Sequence, residues 1–499
     1  MSLLDKATII TTPTAHSNGK LHSIKGGAVA DFDVVRGSAA TRVNAEGLIE
    51  NINVIGSDLI TNGDFSNGST DWELTGNADI SNGTGNFTGN EGDKIFQRPN
   101  LTQGKFYKIT FDILNYTSGT SKVYLGNTGG ASFTASGNGT HSVILEAEGT
   151  TDIIQWRSDG GDVFIGSIDN CSVKEVIDAT NIPRIDYTTG EGVILTEPQS
   201  TNLTPYSEDF SQWDTHASTT ITSNFGISPD GTQNANRVQM NTGGRLFESN
   251  STPNVSFSVY AKSNSGSTHT INMRDGGGII TYDMVITDEW QRFDVYLDTT
   301  MTNVQFRAFE DNIDVLMWGA QVEEKSFATS YIPTSGAIAT RLADRITGAG
   351  DLSTFNSTEG VLYANIASLS NTVIANYIAI SDGTYDNRLS ISYSSGTNII
   401  RTTLRLGGFA EADMNFVVSD ITDFHKVAFK YKENDFALWI DGVKVRTDTS
   451  GSTLPSGALT DLSFSEIGAN GNKFIGKTKT IAVFSEALTD EELTCLTTI

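Results

Sequence analysis

Cysteine is almost missing: Cys171 and Cys495 are the only two in 499 residues. They fall in different expected modules, so the disulfide framework that stabilises many small secreted scaffolds is excluded. Both are expected to act as small buried hydrophobes. Positive charge is scarce as well. Lys and Arg number 33 against 59 Asp and Glu, a net charge of −26. Such a surface repels nucleic-acid phosphates and anionic membranes, so no nucleic-acid partner is expected. It also leaves many carboxylates available for Ca2+. No apolar run approaches the roughly 18 residues of a membrane-spanning helix. The opening MSLLDKATIITTPTAHSNGK lacks a basic stretch followed by an apolar core, so no signal peptide and no membrane span are expected.

The residues of several hydrolytic chemistries are missing too. Six histidines occur, His16, His22, His141, His216, His269 and His425, and none forms a HExxH-type pair, which argues against zinc hydrolysis. There is no Gly-x-Ser-x-Gly elbow and no phosphate-cradling loop. Gly276-Gly277-Gly278 reads as a hairpin turn, with a phosphate site as the alternative. Glu411-Ala412-Asp413 begins a Glu-x-Asp-x-x-Glu pattern, but Phe416 stands in the third place, so this pair is expected on a solvated loop.

Long helical stripes are absent. Short β-branched and aromatic runs alternate with Gly, Asn, Asp and Ser clusters, and 49 residues are Gly. That pattern specifies an all-β chain with many turns. One stretch of the pattern is used twice. The first copy opens at Asp64-Phe65 and Trp72 and closes over Val163 to Val176. The second opens at Asp209-Phe210 and Trp213 and closes over Asp314 to Glu324. Between these ends, Phe106 to Leu114 corresponds to Val255 to Lys262, and His141 to Trp156 to Glu289 to Phe309. The period is too long for a solenoid and implies two β-domains in series. The expected divisions are 1–56, a polar N-terminal segment that orders only against a partner; 57–176, the first sandwich; 177–204, an extended connector; 205–324, the second sandwich; 325–354, another extended connector; and 355–499, a third sandwich. In the last, Asp441-Gly442 is a hairpin signal. Thr489 with Glu492 forms a capping box that predicts one short helix near the end.

Three resemblances arise at these residues. The opening NGDF…W and the closing IDNCSV of the first copy resemble carbohydrate-binding-module jelly rolls. The segment from Ile182 to Thr334, with PRIDYTTGEGVILTEPQSTNL, YSEDFSQW and WGAQVEEKSFATSYIPT, resembles a cassette of tailed-phage fibre and spike proteins. RGSAATRVNAEGLIE, Arg36 to Glu50, resembles the mounting region that precedes it. FHKVAFKYKENDFALWIDGVKV and IAVFSEALTDEEL are similar to concanavalin-A-like, laminin-G-type domains. The implied fold is a series of jelly-roll β-sandwiches ending in a concanavalin-A-like sandwich, behind an extended mounting segment.

The resemblance to the first family implies that Asp64 and Asp169 share a structural Ca2+; the competing reading is that both cap turns. Sugar binding calls for exposed aromatics beside polar groups. Trp72, Trp213, Trp290, Trp318 and Trp439 fit packing positions. Trp156, flanked by Arg157 and Asp159, and Tyr385, beside Asp386 and Asn387 on an expected loop tip, are the candidate ligand-binding residues. The resemblances imply a non-enzymatic virion surface protein, a fibre, spike or head-decoration subunit. It would be made in the host cytoplasm, assemble as a homotrimer and join another virion protein through its N-terminal segment. Its outer partner would be a host glycan or envelope component. The rival expectations are a polysaccharide depolymerase with accessory binding modules and an architectural spacer.

Overall fold

A computed structural model describes residues 3–498 apart from 18, 53, 127–131, 148–151, 160, 162, 179, 217, 374–375 and 469. The chain is all-β. Among the described residues, helix is confined to Asp490–Thr497 and three short 3-10 turns. The helix starts as its capping box requires: Thr489 Oγ1 accepts from the Glu492 amide at 3.3 Å, and Glu492 Oε2 accepts from the Thr489 amide at 3.0 Å. The Asp441-Gly442 turn has φ of 49° and 82°, the left-handed pair that a two-residue hairpin needs.

The two copies repeat one plan. In the first, a five-stranded sheet runs Ser132–Ala135, Ser121–Leu125, Ile154–Ser158, Asp93–Gln97, Glu73–Thr75. It packs on a second sheet running Gly139–Glu146, Phe106–Ser118, Ile165–Asp178, Thr84–Thr88, Asp79–Ser81. In the second copy the matching sheets run Thr281–Ile286, His269–Asp275, Asn303–Ala308, Arg245–Ser249, Asp214–His216, and Gln291–Leu297, Val255–Ser263, Ile313–Glu323, Ala235–Met240, Thr219–Gly226. The strand order is the same in both. The opening motif is shared as well. Trp72 Nε1 donates to the Asn62 carbonyl at 2.8 Å and Trp213 Nε1 to the Tyr206 carbonyl at 2.9 Å. Each indole packs against its preceding phenylalanine, Trp72 tilted on Phe65 and Trp213 edge-on to Phe210.

The third sandwich is larger than residues 355–499 alone would make it. The N-terminal segment, expected to order only against a partner, adds three strands to it. Its long sheet reads Arg345–Thr347, Phe32–Val35, Lys20–Lys25, Ala7–Ser17, Gly476–Phe484, Glu359–Ser368, His425–Lys432, Phe436–Ile440, Val443–Asp448. Ile9, Leu21, Phe32 and Val34 are buried with Leu362, Phe429 and Val483 in one core. The segment looks weakly apolar because each strand carries only one to three core residues. Its remaining core comes from the far end of the chain. The connectors are likewise built into sheets. Val193–Thr196 pairs with Gly476–Phe484, and Ser200–Asn202 of the first connector pairs with Ala339–Arg341 of the second.

A buried ionic cluster ties these segments together. Arg36 Nη1 meets Asp344 Oδ1 at 3.1 Å, Arg184 Nη1 meets Glu197 Oε2 at 2.5 Å, and Arg341 Nη1 meets Glu197 Oε2 at 3.0 Å. Arg184 also bonds Asp344. Glu323, at the end of the second sandwich, accepts from Ser200 Oγ at 2.6 Å and the Thr329 amide at 2.8 Å. Burial alone would raise the Glu197 carboxyl; Arg184 and Arg341 overcome it and hold the group well below the usual carboxylate range. Arg184 and Glu197 lie in the cassette-like stretch, so its residues here join the N-terminal segment, both connectors and the second sandwich.

Candidate functional site

Successive side chains of a strand face opposite ways, so each five-stranded sheet turns one set to the core and the next to its outer side, where Phe96, Gln155 and Arg157 of the first copy and Asn272 and Gln305 of the second are buried among their neighbours. In the first sandwich Ile95, Trp156 and Val123 stand opposite one another in the core. The outward rows are Lys94, Arg157, Lys122 and Phe96, Gln155, Tyr124. In the second sandwich Leu246, Phe306 and Met273 form the core row. Its outward rows are Arg245, Arg307, Asn272 and Phe247, Gln305, Arg274.

The two faces match by strand position. A basic residue and a phenylalanine two apart (Lys94 and Phe96; Arg245 and Phe247) lie across from a glutamine and an arginine two apart (Gln155 and Arg157; Gln305 and Arg307). Both glutamines are buried and tie down the glycine that leaves a neighbouring strand. Gln155 Nε2 donates to the Gly126 carbonyl at 2.8 Å and Gln305 Nε2 to the Gly276 carbonyl at 3.0 Å. Cations lie over the rings: Arg98 over Phe96 at 5.5 Å, Arg157 over Tyr124 at 5.4 Å and Arg307 over Phe309 at 5.0 Å. Apolar ring faces beside fixed donors are the chemistry a sugar ring needs: an apolar surface for its C–H face and polar groups that orient its hydroxyls.

The candidate residues divide on this geometry. Trp156 is not a ligand platform. It is fully buried, packed against Trp72 and Phe111 at 5.7 and 5.9 Å. Strand alternation puts it on the face opposite Arg157, so the two cannot serve one surface. Arg157 and Asp159 do lie together, ion-paired at 3.0 Å, with Lys122 3.5 Å from Asp159. Lys94, Phe96, Gln155 and the whole second-copy face lie outside the candidates that the sequence offers. Their signal is a repeated short pattern, KIF with QWR and RLF with QFR, visible only once the strands are paired.

In the third sandwich Tyr385 is half-exposed with the Arg388 guanidinium 5.7 Å from its ring centre. Asp386 is exposed, and its carbonyl accepts from the Gly408 amide at 3.0 Å. The Asn387 amide is used within the loop, donating to Asp382 at 2.8 Å and accepting from the Gly407 amide at 2.9 Å. Glu411 and Asp413 lie on the strand Phe409–Val417 and not on a loop; Asp413 accepts from Arg401 Nε at 2.7 Å. Asp64 accepts from Ser66 Oγ at 2.9 Å, as Asp209 does from Ser211 Oγ at 2.6 Å in the other copy. The Asp169 carboxyl is raised by partial burial, and then by repulsion from Asp112 and Asp64. Among the described residues no group of three or more His, Cys, Asp or Glu is placed to hold a metal ion. Cys171 is buried as expected, whereas Cys495 is exposed on the helix.

A cleft of about 520 Å3 separates the first two sandwiches, with Lys108 and Thr140 on one wall and Glu208, Asp230 and Tyr331 on the other. Glu208 accepts from Tyr331 Oη at 2.8 Å and from Asn234 Nδ2 at 3.1 Å; the same Nδ2 lies 3.3 Å from Asp230. Burial, then repulsion from Asp230, pushes the Glu208 carboxyl up to about 7 from 4.5. The folded chain therefore holds a proton that the unfolded chain releases near pH 4.5. This stabilisation is complete below that pH and is lost as pH rises through about 7. With solvent in the cleft discounting it, the change is about 1–3 kcal/mol. Glu208→Gln should flatten the pH dependence of the thermal midpoint between about pH 5 and 8, measured by scanning calorimetry.

No family model and no curated protein matches the chain. Among solved structures, it is similar to the CBM40 of a Ruminococcus gnavus IT-sialidase bound to α2,3-sialyllactose, at 18% identity over 29% of this chain and 84% of that one, TM-score 0.25. It is similar to domain 4 of AbnA, a GH43 extracellular arabinanase from Geobacillus stearothermophilus, at 14% identity over 35% and 84%, TM-score 0.26. It is also similar to mouse laminin α1 domains LG4-5, at 8% identity over 50% and 90%, TM-score 0.19. With TM-scores of this size these likenesses carry no functional inference.

Proposed function

We propose that this chain is a non-enzymatic surface protein of a phage virion, a fibre, spike or head-decoration subunit, that attaches to host glycans. The observation that carries the binding reading is the duplicated outward face, Lys94, Phe96, Gln155 and Arg157 in one sandwich and Arg245, Phe247, Gln305 and Arg307 in the next. Two faces on one chain, multiplied by homotrimer assembly, turn weak single-site affinity into firm attachment. The virion setting rests on the phage-like cassette from Ile182 to Thr334 and on the mounting-like stretch Arg36 to Glu50. Attachment to another virion protein would then use the folded N-terminal strands and not a free arm. A glycan array with the purified chain, paired with adsorption of the protein to host cells, tests the reading. Binding that competes with infection is expected. A chain that binds neither glycans nor cells would leave only the architectural spacer.

One observation favours a second reading, a polysaccharide depolymerase. Glu208, protonated near neutrality, and Asp230 are joined through Asn234 on the wall of a cleft. A protonated acid beside a carboxylate is the pairing that glycoside hydrolysis uses. Release of reducing ends from host capsule, abolished by Glu208→Gln, would establish it.

A further inference from the structure

The outward face of the second sandwich differs from its twin in charge. Arg245 and Arg307 are direct cross-strand partners. Arg274 stands across from Gln305 in the next row. Like charges placed directly opposite in an antiparallel pair are destabilising. Among the described residues none of the three guanidiniums has an ion pair or a side-chain hydrogen bond, and the Nε atoms of all three are buried without a partner. In the same sandwich Arg237 is paired with Asp314 at 2.6 Å, and in the twin face Arg157 is paired with Asp159 at 3.0 Å. Of the arginines on the two faces, these three alone lack an ion pair among the described residues, in a chain with 59 acidic residues to draw on. The acids of the two rows stand on the edge strands. Asp283 accepts from Asn272 Nδ2 at 2.8 Å, and Asp214 stands opposite Phe247.

The cluster is also held in place. The Arg274 guanidinium lies on the turn after its own strand, where Gly278 has φ +70° and any Cβ would collide with it. The Gly276 carbonyl in that turn is bonded by Gln305. Arg307 lies over the ring of Phe309, which is 59% exposed. Asn272 Oδ1, beside Arg307, is buried without a partner. Partial desolvation, and then the neighbouring Arg245 and Arg274, lower the Arg307 pKa from its ordinary value. An anion placed between the guanidiniums would remove the repulsion. It would gain charge-assisted, fork-shaped hydrogen bonds while Phe247 and Phe309 supply apolar surface.

We propose that Arg245, Arg274 and Arg307 form a site for an acidic saccharide, a sugar bearing carboxylate or sulfate groups, on the outer sheet of the second sandwich. This rests on the glycan-binding reading and names its ligand class. The test is calorimetric titration of the full chain with polygalacturonate oligomers, their methyl esters, dextran sulfate and dextran. The acidic members should bind roughly tenfold or more tightly than their neutral counterparts. Their affinity should fall as salt rises from about 50 to about 300 mM. Preference within the acidic pair distinguishes carboxylate from sulfate as the recognised group. Arg307→Gln and Arg245→Gln should each lower acidic binding by a similar factor. Because each relieves repulsion, the thermal midpoint should stay level or rise, which loss of a structural arginine would not give. Arg446→Gln, exposed on the edge strand Val443–Asp448 of the third sandwich, should leave acidic binding intact. Equal binding of the acidic members and their neutral counterparts, or loss of acidic binding in Arg446→Gln but not in Arg307→Gln, overturns the proposal and leaves glycan binding standing. Absence of binding here together with a blank glycan array removes both.

Discussion

Deletion of residues 1–35 is expected to unfold the third sandwich. Ile9, Leu21, Phe32 and Val34 are all buried in its main core. Burying one such side chain is worth about 1.5–3 kcal/mol, so losing four removes a large part of the roughly 5–15 kcal/mol that holds a typical domain together. The deletion also strips the strand Ala7–Ser17 from Gly476–Phe484 and bares residues Ile481 to Phe484 as a sheet edge, a template for aggregation. A mounting arm that orders only on a partner predicts the opposite: a stable, monodisperse truncated protein that fails to attach. Light scattering and thermal unfolding of the truncated chain decide between them. Aggregation or a loss of the third-sandwich transition is the expected result.

Arg184→Ala should cost about 3–5 kcal/mol, the range for removing one partner from a buried ion pair. Arg184 is fully buried and touches both Glu197 and Asp344. Its loss would leave Glu197 with Arg341 alone and Asp344 with Arg36 alone, each carboxylate short of one buried cation and its hydrogen bonds. Arg184→Lys should recover little of the loss, because one ammonium cannot reproduce a planar fork that reaches two carboxylates. The cluster joins the N-terminal segment, both connectors and the second sandwich, so the effect should appear as earlier unfolding of modules that otherwise melt together. Denaturant titration with fluorescence and circular dichroism in parallel would show it, as curves that coincide in the parent and separate in the variant.

The elements legible from sequence were those with local causes. The capping box at Thr489, the Asp441-Gly442 turn and the all-β pattern each depend on residues a few positions apart. The repeat was legible because both copies keep the Asp-Phe-Ser opening and the tryptophan that locks it. What stayed hidden depends on pairing across the chain. Ile9 and Leu21 look isolated until strands from the other terminus complete their core. Arg184, Glu197 and Asp344 read as ordinary surface charges until three segments fold over them. Trp156 looks like a ligand residue for a related reason: its neighbours in sequence are polar, but alternation puts them on the other face. The basic–Phe and Gln–Arg pattern spans two strands that are far apart in sequence, so only strand pairing reveals it.

The two copies share a scaffold and differ in charge: in the first face Arg157 and Lys122 are paired with Asp159, while among the described residues the second keeps three arginines without an ion pair. That the duplicated outward faces are where glycan is held is tested most directly by hydroxyl-radical footprinting of the full chain with and without a saturating glycan hit from the array. Bound glycan should protect Phe247 and Phe309, or Tyr124 in the first sandwich, from side-chain oxidation. Protection confined to Tyr385 in the third sandwich or to Tyr331 in the cleft would contradict it.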